Sequence, residues 1–197
     1  NSATDNPLVF SNNGSPEVIS GGNFHGQILA IISDNMAICT HEIASISERR
    51  INQVLDPQWS GQKAFLANDE GLESGLMIVQ YVAAAVIAEL SLLSNPVSTT
   101  NVPVSMGKED HVSMGATGAY RTFKASKLLS SVISSELICS CQALDNIPEN
   151  ASESVRKIHN WLRGYVSKIE GDRSTTEDTE IIAEKILTSE FIDIFGE

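Results

Sequence analysis

The run from Leu76 to Leu93 constrains this chain more than any other stretch. It is apolar on nearly every helical face, with Ala83-Ala84-Ala85-Val86-Ile87-Ala88 at its centre. Such a helix is stable only when other helices surround it. Its length approaches a bilayer span, but Gln80, Tyr81 and Glu89 interrupt it and no basic flank follows. That favours a core helix over a transmembrane one. The pattern predicts a helix from about Leu72 to Leu93, halted at Asn95-Pro96.

The rest of the chain supplies the neighbours. Residues 1–23 read as a loop or short hairpin, because Asn12-Asn13-Gly14 lies between Leu8-Val9-Phe10 and Glu17-Val18-Ile19. A first long helix is predicted from Phe24 to Leu55, with Ile28, Ile31, Ile32, Ile38, Ile43, Ile46 and Ile51 in its apolar stripe and Glu42, Glu48, Arg49 and Arg50 on the wetter side. Asp56-Pro57 stops it, and a loop follows over 56–70. A third helix is predicted from Lys108 to Leu144. After the break at Asp145-Asn146-Ile147-Pro148, shorter helices cover about Ser152–Ile169 and Glu180–Phe195. The expected fold is all-α: an elongated bundle of long antiparallel helices behind a short N-terminal hairpin or irregular segment, residues 1–197 forming one helical portion. Three long rods and a shorter one leave apolar faces uncovered, which predicts a homo-oligomer, a dimer or tetramer formed through the long helices.

Charge and cysteine content narrow the function. The formal net charge is -12 and there is no Lys/Arg block, which argues against a nucleic-acid partner. With no membrane span predicted either, a cytoplasmic protein is expected. Cys39, Cys139 and Cys141 are odd in number and lie in apolar helical patterns, so they read as buried small hydrophobes rather than a disulfide or zinc set. Asn1-Ser2-Ala3-Thr4-Asp5 has neither an initiator Met nor an apolar leader and reads as the interior of a longer chain.

Two polar, glycine-punctuated segments open long helical patterns: Ser20-Gly21-Gly22-Asn23-Phe24-His25 and Gly107-Lys108-Glu109-Asp110-His111. Acids in a first helical turn complement the macrodipole, which accounts for Glu109 and Asp110 without any chemistry. Alternatively, Glu109 faces a cavity and accepts a hydrogen bond from a polar substrate, while Lys108 binds a carboxylate or holds Glu109 ionised. Phe24 reads as core or as a site wall, and Asn6-Pro7 as a turn. His41 and His159 sit within helical patterns and belong to no motif. No metal spacing, phosphate loop or dinucleotide fingerprint is present.

Four ordered motifs carry a resemblance. Asp5-Asn6-Pro7-Leu8-Val9-Phe10, Ile19-Ser20-Gly21-Gly22-Asn23-Phe24-His25, Ser47-Glu48-Arg49-Arg50-Ile51 and Glu109-Asp110-His111-Val112-Ser113-Met114-Gly115 resemble the C-terminal half of the histidine ammonia-lyase family, which also includes phenylalanine and tyrosine ammonia-lyases and aminomutases. The resemblance implies an all-helical tetramer with sites built from three chains, a small amino acid substrate and elimination of ammonia. It implies a methylidene-imidazolone electrophile cyclised from Ala-Ser-Gly. This sequence holds no Ala-Ser-Gly, because Ser20-Gly21, Ser60-Gly61 and Ser74-Gly75 follow Ile, Trp and Glu. The electrophile is therefore expected from an N-terminal half, in the same or a separate chain, and this chain alone is expected to be inactive. By the same resemblance Asn6 lies close to substrate, Phe24 lines the site beside the electrophile, and Glu109 meets the substrate side chain. A carboxylate there suits an imidazole N–H and mismatches a benzene ring, pointing to L-histidine and urocanate. Lys108 and Gly107 stand where the family usually has glutamine and asparagine; an ammonium beside Glu109 is placed to pair with it. Two other functions share these motifs: a non-catalytic oligomerisation module, and a lyase or aminomutase for another aromatic amino acid.

Overall fold

The computed structural model describes residues 4–188 and 190–194. The polar start at Asn1–Ala3 and the end of the last predicted helix at Phe195 lie outside the described residues. The protein divides into two compact units. The first comprises the chain up to Met36 together with Asn95–Thr122; the second comprises Ala37–Ser94 and the chain from Phe123 onward.

The first unit opens with the hairpin that Asn13-Gly14 requires. Strands β1 (Leu8–Asn12) and β2 (Ser15–Ile19) pair antiparallel, Leu8 opposite Ile19 and Asn12 opposite Ser15. Asn13 and Gly14 both take positive φ, 50° and 81°. Two such residues match the twist of a tight hairpin. Helix α1 (Gln27–Leu55) begins in this unit, as does helix α4 (Gly115–Leu144). They approach closely: a Cβ on Gly118 would lie 3.0 Å from the Ser33 Cβ and 3.4 Å from the Ala30 Cα.

The second unit holds the remainder of α1 and α4 together with α2 (Pro57–Ser60), α3 (Met77–Leu93), α5 (Glu153–Arg163), α6 (Thr176–Leu187) and α7 (Glu190–Asp193). Helices α3 and α4 run antiparallel. Glu89 pairs with Lys124 at 2.6 Å, while Ile78 and Val82 share a cavity wall with Ser135 and Ser131. Ile51, Leu90, Val132, Ile138, Leu162, Val166 and Ile182 form the centre of the core. The fold is thus helical with one two-stranded hairpin, as the periodicity predicts. Among the described residues no helix is long and apolar enough to cross a membrane.

Several expectations need correction. Helix α1 starts at Gln27 rather than Phe24, because Gly26 takes φ 70°. Helix α3 starts at Met77 because Gly75 sits at φ 54°, where a Cβ would fall 2.5 Å from the Phe65 carbonyl oxygen. Helix α4 starts at Gly115, not Lys108, so the predicted helical first turn at 108–111 is irregular chain. Helix α5 ends at Arg163, short of Ile169. There the buried Gln142 amide takes over the backbone: it donates to the Ile169 carbonyl at 2.9 Å and accepts from its N–H at 3.1 Å.

The buried stripe of α1 also differs from the predicted one. Ala30, Ala37, Ala44, Ile51 and Leu55 are buried, along with Asp34, Ser47 and Glu48, while Ile28, Ile31, Ile32, Ile38, Ile43 and Ile46 are exposed in this chain. Alanine allows helices to approach closely, so the small residues fill the intramolecular contact. Glu48, placed on the wetter side by its charge, is buried and pairs with Arg49. Ser47 donates to Glu136 at 2.6 Å, and Arg50 reaches the same carboxylate at 2.9 Å.

All three cysteines are free, and Cys139 and Cys141 are buried as expected, but Cys39 is exposed. Burial pushes the Cys139 thiol far up and the Cys141 thiol up to about 11, the latter despite the nearby charge of Arg163. Thiolate is the reactive form. Folded protein at neutral pH should therefore alkylate rapidly at Cys39 alone, with Cys139 and Cys141 modified only after unfolding. Peptide mass mapping after a short iodoacetamide pulse reads this directly.

Candidate functional site

The segments carrying Asn6, Phe24, Lys108 and Glu109 all fall in the first unit, where side-chain amides and histidines join them. Asn6 lies at the hairpin's entry, across a cis bond to Pro7. Its carbonyl oxygen accepts from the Gly21 N–H at 3.0 Å and from the Ser20 hydroxyl at 3.1 Å. This ties the Asn-Pro turn to the glycine segment before α1 and leaves the amide NH2 of Asn6 without a hydrogen bond among the described residues. Phe24 projects from the next turn, closed by the His25 N–H on the Gly22 carbonyl at 3.1 Å, and the residue is 57% exposed.

The segment bearing Lys108 and Glu109 is a tight reversal. Ser105, Met106 and Gly107 take left-handed φ values of 53°, 56° and 81°. Val104 and Glu109 then face each other: the Val104 N–H donates to the Glu109 carbonyl at 2.9 Å, and the Glu109 N–H returns to Val104 at 3.3 Å. Glu109 is exposed in this chain rather than buried, and Lys108 is exposed beside it. They make no ion pair, so the expected ammonium clamp on Glu109 does not form among the described residues.

Two residues away, His111 stacks on His25, with ring centroids 5.1 Å apart and planes 4° from parallel. The His25 Nε2–H donates to the His111 carbonyl at 2.5 Å. Asn101 holds the far side, accepting from the Val112 N–H and donating to the Val112 carbonyl, each at 3.2 Å, with its Nδ2 also 2.7 Å from His111 Nδ1. Gln27, at the start of α1, donates to the Ser98 carbonyl and accepts from the Met114 N–H, each at 3.2 Å.

Beneath this layer Asp34 is almost fully buried and anchors the 95–98 loop. Its carboxylate accepts from the N–H groups of Val97 and Ser98 at 3.0 and 2.8 Å and from Arg121 on α4 at 3.1 Å. Burial alone would raise its pKa, but the hydrogen bonds from Ser98 and Val97 and the charge of Arg121 outweigh that and hold it below the usual carboxylate range. Sequence reasoning missed Asp34, Asn101 and Gln27. Asp34 is a single polar residue within an apolar helical pattern, and Asn101 stands in a stretch rich in Ser, Thr and Pro, so neither carries a local signal. His111 was visible only as part of a motif.

Residues 1–164 match the family model described as aromatic amino acid lyase. The chain belongs to the aromatic amino acid lyase family. A histidine ammonia-lyase of Symbiobacterium thermophilum is 42% identical over 193 residues, 98% of this chain and 38% of the relative. One from Deinococcus radiodurans is 40% identical over the same share of this chain and 36% of its own length. The crystal structure of histidine ammonia-lyase from Trypanosoma cruzi superposes with a TM-score of 0.91 at 36% identity, covering 98% of this chain and 38% of that one. A tyrosine aminomutase from Streptomyces globisporus superposes with a TM-score of 0.92 at 32% identity, over 98% of this chain and 37% of its own. The chain thus spans under two fifths of the length of these relatives.

Within this lyase-family unit, the Asp34 cluster fixes the loop that leads to Asn101 and Glu109. Asp34→Asn leaves an amide NH2 facing backbone donors and removes the ion pair with Arg121, at a cost of about 2–3 kcal/mol in stability. The sign with pH follows from the lowered pKa. The carboxylate's contribution is complete above its unfolded pKa, about 3.9, and is lost as pH falls through the lower folded value. Urea unfolding across acid pH should show wild type losing stability below about pH 4, with that component missing from Asp34→Asn.

Proposed function

We propose that this chain supplies the substrate-facing wall of an ammonia-lyase that, in the complete protein, eliminates ammonia from L-histidine to give urocanate. The observation that carries the proposal is the gathering of the Asn6, Phe24 and Glu109 segments in one compact unit, cross-tied through Ser20, Gly21, His25 and His111.

Each residue has a separate task. Glu109 is acceptor-only when ionised, so it receives the N–H of the substrate imidazole and orients the ring. A benzene ring would leave that carboxylate desolvated without a partner, which gives selectivity for histidine. The Asn6 NH2, its carbonyl already engaged, donates toward the substrate. The ring of Phe24 offers an apolar surface that excludes water. Lys108, without an ion pair to Glu109, is a cation available to the substrate side of the site.

The electrophilic methylidene-imidazolone is not formed from this chain. The exposed Phe24 face and the free Asn6 NH2 fit a planar, carbonyl-bearing group, and these two residues would flank it. When present, that group supplies the electrophile that makes the amine a leaving group. The rest of the site, including the residue that removes the β-proton, belongs to an N-terminal half in the same or a separate chain. On this reading the chain alone is inert and works within a homo-oligomer in the cytoplasm.

An aminomutase reading has specific support in the tyrosine aminomutase superposition, as close as that with the histidine enzyme. One assay addresses both. The chain is co-expressed with the N-terminal half of a histidine ammonia-lyase, and L-histidine, L-tyrosine and L-phenylalanine are offered. Urocanate should accumulate, followed by its ultraviolet absorbance, and Glu109→Gln should lower that rate more than about tenfold. Undiminished turnover in Glu109→Gln removes the residue from the site, and a β-amino acid product replaces the lyase assignment with the mutase one.

A further inference from the structure

The contacts around His111 settle where its ring proton lies. Asn101 is oriented without ambiguity: its Oδ1 accepts the Val112 N–H and its Nδ2 donates to the Val112 carbonyl, two backbone groups of fixed polarity. An amide NH2 has two hydrogens and no lone pair to offer. Its second hydrogen therefore points at His111 Nδ1, 2.7 Å away, and Nδ1 must accept it. The neutral ring consequently carries its proton on Nε2, which makes no hydrogen bond among the described residues. The same logic applies on the other side of the stack, where the carbonyl of His111 accepts from His25 and so places the proton of His25 on Nε2 as well.

His111 also links two site-bearing segments that share no helix or strand, alongside the Gln27 contacts to Ser98 and Met114. Its carbonyl and ring hold His25, the residue after Phe24, and its ring is held in turn by Asn101. Glu109 lies two residues before it, on the outgoing arm of the reversal closed by Val104. His111 thus stands between the Phe24 turn and the arm that carries Glu109. We propose that His111 is a positioning residue: held in one tautomer by Asn101, it fixes the Glu109 arm against the Phe24 turn through its stack on His25.

This inference rests on the proposed role of Glu109, and the test separates the two. In the complete enzyme, His111→Phe retains a flat ring for the stack but removes the Nδ1 acceptor, whereas His111→Ala removes both. Misplacement of the reacting groups by a fraction of an ångström to 1 Å lowers turnover steeply, so both variants should lose about tenfold or more in kcat. KM should change little, and the thermal midpoint of His111→Phe should stay near wild type. Asn101→Ala should reproduce the kcat loss. The loss should not add to that of Glu109→Gln in the double variant, because His111 acts through Glu109 placement. Nitrogen-15 histidine spectra of the enzyme, with His111 assigned by its disappearance in His111→Phe, should show the Nε2–H tautomer.

Wild-type kcat in His111→Phe and His111→Ala, in an enzyme where Glu109→Gln is impaired, overturns the inference and leaves the proposed function standing. Fully additive losses, or a His111 proton on Nδ1, overturn it as well. If Glu109→Gln is itself harmless, the proposed function fails instead, and the tautomer measurement still decides how Asn101 holds His111. Should His111→Ala not fold, His111→Phe, Asn101→Ala and the spectra decide the matter alone.

Discussion

One buried carboxylate governs where the loop leading to the candidate site can lie. Asp34 sits on the inner side of α1 and accepts from the successive backbone N–H groups of Val97 and Ser98 in the 95–98 loop and from Arg121 on α4. A carboxylate in that position tolerates no alternative arrangement, because any departure leaves it buried with unpaired lone pairs. The loop is therefore fixed at its root, and the Ser98, Asn101 and Val104 contacts follow from that fixed point. The lowered pKa of Asp34 reports the same balance, with burial opposing ionisation and the converging donors prevailing.

The small-residue stripe of α1 acts at a longer range. With Ala30, Ala37 and Ala44 buried and the isoleucines exposed, the side of α1 used within this chain is the one that permits close approach, not the one with the most apolar surface. Ile28, Ile31, Ile32 and Ile38 keep their area uncovered, as do Ile78, Tyr81 and Leu92 of α3. Solvent-exposed apolar area on this scale is uncommon on a monomeric surface. The aromatic amino acid lyase relatives are more than twice as long as this chain.

The sequence displayed some of these features and concealed others for identifiable reasons. The hairpin was legible because Asn13-Gly14 has few conformations compatible with flanking strands. The long helices were legible because their periodicity extends over many turns. Their starts were not: Lys108 to Met114 is compatible with a helix residue by residue, and what prevents one is the left-handed run at Ser105, Met106 and Gly107 with the Val104–Glu109 pairing. The stripe of α1 was misassigned because hydrophobicity ranks isoleucine above alanine, while helix proximity ranks them the other way. Asp34 was invisible because its partners lie 63, 64 and 87 residues further along. The candidate residues came from motif resemblance, since no local pattern distinguishes Glu109 from an ordinary charge near a helix start.

The site's construction also explains why amides recur in it. The segments at 20–26 and 95–114 have almost no ladder of their own, yet their backbone groups need partners. A side-chain amide offers both a donor and an acceptor, so it substitutes for a neighbouring strand. Gln27 does this between Ser98 and Met114, and Asn101 does it at Val112. A carboxylate of the same shape would satisfy only the N–H groups, and a cation only the carbonyls. Asn6 uses half of this capacity: its oxygen is engaged by Ser20 and Gly21, and its NH2 remains available. The group that structural needs leave unpaired is thus a donor beside the Phe24 turn, and a fixed, unpaired donor is what a substrate or an electrophile bearing carbonyl oxygens can use.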